Sequence, residues 1–170
     1  MPLRRVAVIA GSEAPTRPEN ADAAVRVGRL LAENGITLLA GDVAAGLTAT
    51  LTASAREAGG VVVEMARDAV LVDKADAFFA LPQGLASLEE LFELWSWRHP
   101  GDPEKPSGLL DVSGYFTGLL RNESDAALER FVRETQRGML IVDTDPVALL
   151  RAMADFRPPE TRRLSSRDEP

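Results

Sequence analysis

The residues best placed for chemistry are carboxylates at the start of a helix, directly behind a tight turn. Glu89, Glu90 and Glu93 follow Ser87, and Leu88, Leu91, Phe92 and Trp95 mark one apolar helical face on the same stretch. Ahead of them, Ala77 to Leu81 is an apolar run that reads as a buried strand, stopped by Pro82-Gln83-Gly84. Strand, glycine-containing turn and helix amino terminus is the arrangement in which parallel α/β proteins hold ligands. The ligand lies beyond the carboxyl end of a strand, against the free N–H groups of a helix. A first-turn carboxylate there can do chemistry, or it can simply complement the positive end of the helix. Residue types alone leave both readings open.

Other chemistries find little support. The chain has no cysteine, hence no thiol nucleophile, no disulfide and no zinc–thiolate site. Its single histidine, His99, offers no metal cluster and reads as a residue at a helix carboxyl end. No metal and no cofactor are therefore expected. No Gly-x-Gly-x-x-Gly follows the first strand, so a standard dinucleotide site is not indicated. Gly41 and Gly46 have P-loop spacing, but no Gly-Lys-Ser/Thr follows. The net charge of -7 argues against a nucleic-acid partner, and no apolar run approaches the roughly 20 residues that span a bilayer. The apolar run Val6 to Ala10 is too short for a signal-peptide core, so a cytoplasmic location is the expectation.

The elements that must position the carboxylates are spread evenly along the chain. Strands are expected at Val6–Ala10, Ile36–Ala40, Val61–Val63, Ala77–Leu81, Gly108–Val112 and Met139–Val142. Between them, Asn20 or Asp22 caps a helix running to about Asn34, and Gly46 to Glu57 forms a second, built from small residues. A short helical turn follows Arg67, the carboxylate-bearing helix starts at Ser87, and helical segments cover Tyr115–Leu120 and Asp125–Val132. A final helix spans about Pro146 to Phe156, capped from Asp143–Asp145. With 170 residues, 45% of them hydrophobic, one domain is expected over residues 1–156, followed by a disordered tail from 157 to 170. Strands alternating with helices imply an α/β fold: a single doubly wound, Rossmann-like parallel sheet with helices on both faces. In such a sheet all strand-to-helix turns leave at one edge. The turns at Gly11, Gly41 and Pro82–Ala86, with the segment after Val63, should therefore converge.

Against that frame the chain resembles the Lonely Guy (LOG) family over about residues 5 to 156. The resemblance lies in Val8-Ile9-Ala10-Gly11-Ser12, Leu38-Leu39-Ala40-Gly41, Ala45-Gly46-Leu47, Ala58-Gly59-Gly60-Val61 and Arg67 ahead of Asp76-Ala77-Phe78. Beyond them stand Lys105-Pro106, Gly108-Leu109-Leu110 and Gly114-Tyr115-Phe116. The family's PGGxGTxxE stands here as Pro82-Gln83-Gly84-Leu85-Ala86-Ser87-Leu88-Glu89-Glu90. The resemblance implies nucleoside 5′-monophosphate phosphoribohydrolase chemistry, the release of a base by cleavage of its N-glycosidic bond. It makes Glu90 the catalytic carboxylate and Arg67 its partner. Gly11, Ser12, Gly41, Gly46, Gly84, Leu85, Ala86 and Ser87 become the substrate- and phosphate-binding residues. A carboxylate beside the anomeric carbon stabilises developing positive charge or activates water, and an arginine can fix its orientation. The resemblance also implies a small-molecule nucleotide or nucleoside as partner and a homodimer. Trp95 and Trp97 suit either an interface or the core.

The departures from the family pattern cluster where phosphate would sit. Gln83 and Ala86 replace glycines, Asp42-Val43 follow Gly41, Glu13 follows Ser12, and Asp68 stands where a lysine is expected. Glycine lets backbone N–H groups approach a phosphate, and side chains at those positions oppose it. Each added acid within about 4 Å of a phosphate charge costs roughly 1 kcal/mol in water and about 4 kcal/mol at an effective dielectric near 20. Two functional classes follow. One is a diverged LOG-like N-glycosidase acting on a nucleotide or nucleoside. The alternative is a catalytically inactive nucleotide-binding or interaction protein with a degraded phosphate cradle.

Overall fold

The computed structural model describes residues 3–10, 17–41, 45–66, 69–82, 93, 104–117 and 139–158. They form β1 (Arg5–Ile9), α1 (Pro18–Glu33), β2 (Thr37–Ala40), α2 (Gly46–Glu57), β3 (Val62–Glu64), α3 (Ala69–Lys74), β4 (Ala77–Ala80), β5 (Ser107–Leu110), β6 (Leu140–Asp143) and α4 (Pro146–Ala154). The strands make one six-stranded sheet in the order β3-β2-β1-β4-β5-β6, and every pairing is parallel. This is the doubly wound arrangement expected from the alternation of elements.

The central strands carry apolar residues on both faces because helices cover both. Alternate residues then divide between two cores. Val6, Val8, Leu38 and Phe79 pack with Ala24, Val27 and Leu31 of α1, Leu47 and Leu51 of α2, and Leu149 and Met153 of α4. Ala7, Ile9, Leu39 and Phe78 pack on the opposite face with Leu71 and Val72 of α3, Leu109, and Phe116 beyond β5. Phe78 and Phe79 are neighbours in sequence, both essentially buried, and serve different cores. Each contributes about 1.5–3 kcal/mol of transfer free energy.

Helices α1 and α2 meet at unusually close range. A methyl on Gly28 would lie 2.3 Å from the Leu51 carbonyl oxygen and 3.0 Å from the Ala55 nitrogen. The lack of a side chain at Gly28 is what allows α1 to touch the α2 backbone. Ser54 Oγ adds a 2.8 Å hydrogen bond to the Val25 carbonyl across the same contact. At the amino edge of the sheet, the Asp76 carboxylate accepts from the backbone N–H groups of Arg4 and Arg5, at 2.9 and 2.8 Å.

Most strand boundaries shift by a single residue, and three boundaries differ by more from the sequence-based expectation. Helix α1 begins at Pro18, ahead of both Asn20 and Asp22, with Arg17 as its extended N-cap residue. Proline suits the first helical position because its N–H would be unpaired there in any case, and its φ is already helical. Strand β5 stops at Leu110 instead of Val112, because the Asp111 side chain is used to turn the chain. Helix α4 stops at Ala154, two residues short of Phe156. Its cap is as expected: Asp145 accepts from the Ala148 N–H at 3.1 Å. The helical segment expected over Asp125–Val132 lies outside the described residues, as do the tail from 159 onward, Trp95, Trp97 and His99.

Candidate functional site

The crossover after β1 leads to β2 on one side, whereas β4 is followed by β5 on the other. Between β1 and β4 the departing chains therefore diverge, and a crevice opens at their carboxyl ends. The two strands reach that edge in step. Ile9 pairs with Ala80, and the Leu81 N–H donates to the Ile9 carbonyl at 2.9 Å. Ala10 and Leu81–Pro82 thus leave the sheet side by side. Gly11 and Ser12 follow the first, and the Gln83–Glu90 motif follows the second. Gly11, Ser12, Gly84, Leu85, Ala86, Ser87 and Glu90 themselves lie outside the described residues, but their points of departure flank this switch point.

The neighbouring strand brings a helix terminus to the same place. Gly41 closes β2, and α2 starts at Gly46, which holds φ +66. That left-handed value is open to glycine at little cost. The α2 amino terminus has Ala45 as its N-cap residue, which makes no side-chain cap, and it brings the positive end of the helix dipole to this edge. Thr48, buried in the first turn, donates its hydroxyl to the Ala10 carbonyl at 2.5 Å. This bond fastens the α2 amino end to the exit of β1. Of the expected site residues, Gly41 and Gly46 are thereby seen at the carboxyl edge. Arg67 lies outside the described residues, between Ala66, which follows β3, and the start of α3 at Ala69. Met65 N–H still donates to the Ala40 carbonyl at 3.0 Å, so the segment carrying Arg67 also departs from this edge.

On the other side of the switch point the structure reveals an acid that the motif reading missed. Asp111, only 4% exposed, accepts from the Phe116 N–H through Oδ1 at 2.7 Å. Its own N–H donates to the Asp143 carbonyl at 2.8 Å. The turn between them places Ser113 at φ 55 and Gly114 at φ 74. Such a value is uncommon for a residue with a side chain. Tyr115 stacks edge-on against Phe116 with ring centroids 5.0 Å apart, and partial burial raises its phenol above the ordinary tyrosine value. Beside this turn is a cavity of about 410 Å³, lined by Glu19, Asp22 and Arg26 of α1 with Asp111, Ser113 and Thr144. Arg26 is paired with Asp145 at 3.2 Å. Among the described residues, no group of three or more His, Cys, Asp or Glu is arranged to hold a metal ion. No helix among them is long and apolar enough to cross a membrane.

Comparison with known proteins settles the family. The family model described as "Possible lysine decarboxylase" matches residues 33–153, well over half of the chain. Among curated relatives, the cytokinin riboside 5′-monophosphate phosphoribohydrolase LOG7 of Arabidopsis thaliana is 29% identical, covering 92% of this chain and 83% of its own. LOG1 of the same plant is 28% identical, covering 92% and 85%. This chain belongs to the LOG family. Among solved structures, the molybdenum cofactor carrier protein from Chlamydomonas reinhardtii superposes with a TM-score of 0.64 at 19% identity, covering 88% of this chain and 94% of that one. At that identity the likeness is one of fold.

Proposed function

We propose that this LOG-family protein is a diverged N-glycosidase that hydrolyses the base–ribose bond of a nucleotide or nucleoside. What carries the reading is the position of the Pro82–Glu90 motif: it leaves β4 at the switch point beside the exit of β1, where α/β sheets of this order hold their ligands. The named activity of the curated relatives supports the same chemistry. In this reaction the C1′–N bond breaks as water adds its oxygen to C1′, and the base leaves with a proton. Glu90 stabilises the positive charge that builds at C1′ or takes the proton of the attacking water. Arg67 orients that carboxylate and donates to the ligand. The α2 amino terminus at Gly46 offers the remaining attraction for an anionic group. With Gln83, Ala86 and Asp68 in the cradle, the phosphate contributes less to binding than it would in a glycine-lined turn.

The test is release of free base from a panel of ribonucleoside monophosphates and ribonucleosides, with wild type and Glu90→Gln side by side. Release by wild type on at least one substrate, lost in Glu90→Gln, is expected. Identical background rates for the two proteins on every substrate would overturn the proposal. That outcome would leave a LOG-fold binding protein without catalysis.

A further inference from the structure

The opposite end of the sheet holds a larger cavity than the one beside Asp111. At about 600 Å³ it lies within the usual range of small-molecule sites, roughly 300–1,000 Å³. It sits where Leu3 leads into β1, Asp76 into β4 and Pro106 into β5, and where the chain leaves α4 through Phe156. The strands between this amino edge and the carboxyl edge are four to five residues long, so at about 3.3 Å per residue the two edges are roughly 13–17 Å apart. A ligand here does not compete with one at the switch point.

Glu104 decides what this cavity can hold. It is partly buried and lines the cavity, and its Oε2 is shut off from solvent with no hydrogen-bond partner among the described residues. Buried polar atoms in native proteins are nearly always paired, and a charged one left unpaired is costly. The neighbouring charges do not relieve it. Lys105 Nζ donates instead to the Val72 and Asp73 carbonyls in the last turn of α3, at 2.6 and 3.1 Å. Arg157, the other lining cation, is exposed, and no ion pair among the described residues reaches Glu104. The Asp76 carboxylate, by contrast, is already engaged by the Arg4 and Arg5 N–H groups and by the Arg5 guanidinium at 3.6 Å.

The missing partner is a cation that reaches the carboxylate from the cavity. The last torsion of a glutamate is broad and roughly two-fold, so either oxygen of Glu104 can turn to such a ligand. The carboxyl end of α4 at Ala154 brings the negative end of its dipole to the same wall, with Asp155 beside it. Phosphate and carboxylate ligands are repelled by this set. A bare metal ion is not matched either, because no three carboxylates among the described residues are arranged to hold one. Leu3, Pro106, Met153 and Phe156 add hydrocarbon surface to the lining. A ligand with a cationic head and an apolar body meets both demands.

We propose that this amino-edge cavity binds an organic cation, a primary ammonium carried on hydrocarbon, whose N–H groups donate to the Glu104 carboxylate. The proposal does not rest on the N-glycosidase reading. Calorimetry on the full chain at neutral pH uses butylammonium, hexylammonium and 1-hexanol as probes, both amines being protonated there. Wild type binds hexylammonium at least about tenfold more tightly than 1-hexanol, which has the same chain and no charge. Hexylammonium also binds more tightly than butylammonium, by about fourfold for each added methylene. Glu104→Gln brings hexylammonium down to the hexanol level. Without ligand, Glu104→Gln melts at or above the wild-type temperature, because an unpaired buried charge has been removed. Absence of hexylammonium binding to wild type overturns the proposal, since water alone then serves the carboxylate. Affinity that ignores chain length, or that survives Glu104→Gln, marks general attraction of a cation to a chain of net charge -7 and overturns it as well. A clear fall in the melting temperature of Glu104→Gln does the same, by showing that the carboxylate already has a donor in the folded chain. The comparison of the three probes on wild type stands whether or not the variant folds.

Discussion

The hydrogen bond from Thr48 to Ala10 ties two secondary-structure elements together at the proposed site, and its removal gives a calculable loss. Thr48→Val keeps the shape of the side chain and removes the hydroxyl. The Ala10 carbonyl, whose residue is 3% exposed, then has no donor among the described residues. Leaving a buried carbonyl unpaired costs about 1–3 kcal/mol. For a chain of this size each kcal/mol corresponds to about 2–4 °C in Tm, so a mid-range loss of about 2 kcal/mol lowers Tm by about 4–8 °C. Thr48→Ser makes the opposite change, keeping the hydroxyl and deleting one buried methyl group, which costs about 1 kcal/mol. Calorimetric melting of the three proteins at one pH and one protein concentration should give the order wild type, Ser, Val. If the valine variant melts at or above the serine variant, the contact is one of packing and the reasoning fails.

Two further outcomes follow from the same structure. Gly28→Ala drives a methyl against the Leu51 carbonyl, which as backbone cannot yield. The overpacking cost of about 1–3 kcal/mol or more outweighs the roughly 1 kcal/mol of helix propensity gained, so urea unfolding should show a lower midpoint at unchanged slope. Tyr115 is the only tyrosine, so the ultraviolet titration of tyrosinate reports it alone, with a midpoint above that of free tyrosine. Its raised folded-state value means that the protonated phenol is favoured in the folded chain. The associated stability is intact below the unfolded value near 10 and is lost as pH climbs through the folded value. Tyr115→Phe should remove that part of the alkaline loss.

The alternating order of strands and helices was readable because each strand is a short β-branched or apolar run that ends at glycine, proline or an acid. The convergence of turns at one edge followed from parallel connection alone. Asp111 was not readable as a site residue. It ends the run Gly108-Leu109-Leu110, which reads as continuous strand, and only the folded turn shows its carboxylate capping Phe116. Thr48 was missed because its partner lies 38 residues away, and a lone threonine in a helix rich in small residues signals nothing. Glu90 and Arg67 were found through motif spacing. Both lie outside the described residues, and only the points where their segments leave β4 and β3 are seen; periodicity by itself assigns a first-turn acid no particular duty.

The contact at Gly28 reaches further than the stability of two helices. Because α1 rests against the α2 backbone there, and Ser54 bonds across to Val25, the two helices form one rigid unit. That unit carries the Gly46 terminus, Thr48 and the Glu19–Asp22 start of α1 at the same carboxyl edge of the sheet. The amino ends of α1 and α2 are therefore held in a fixed relation to each other by packing. These two helices then have little conformational entropy of their own to lose when a ligand binds at this edge.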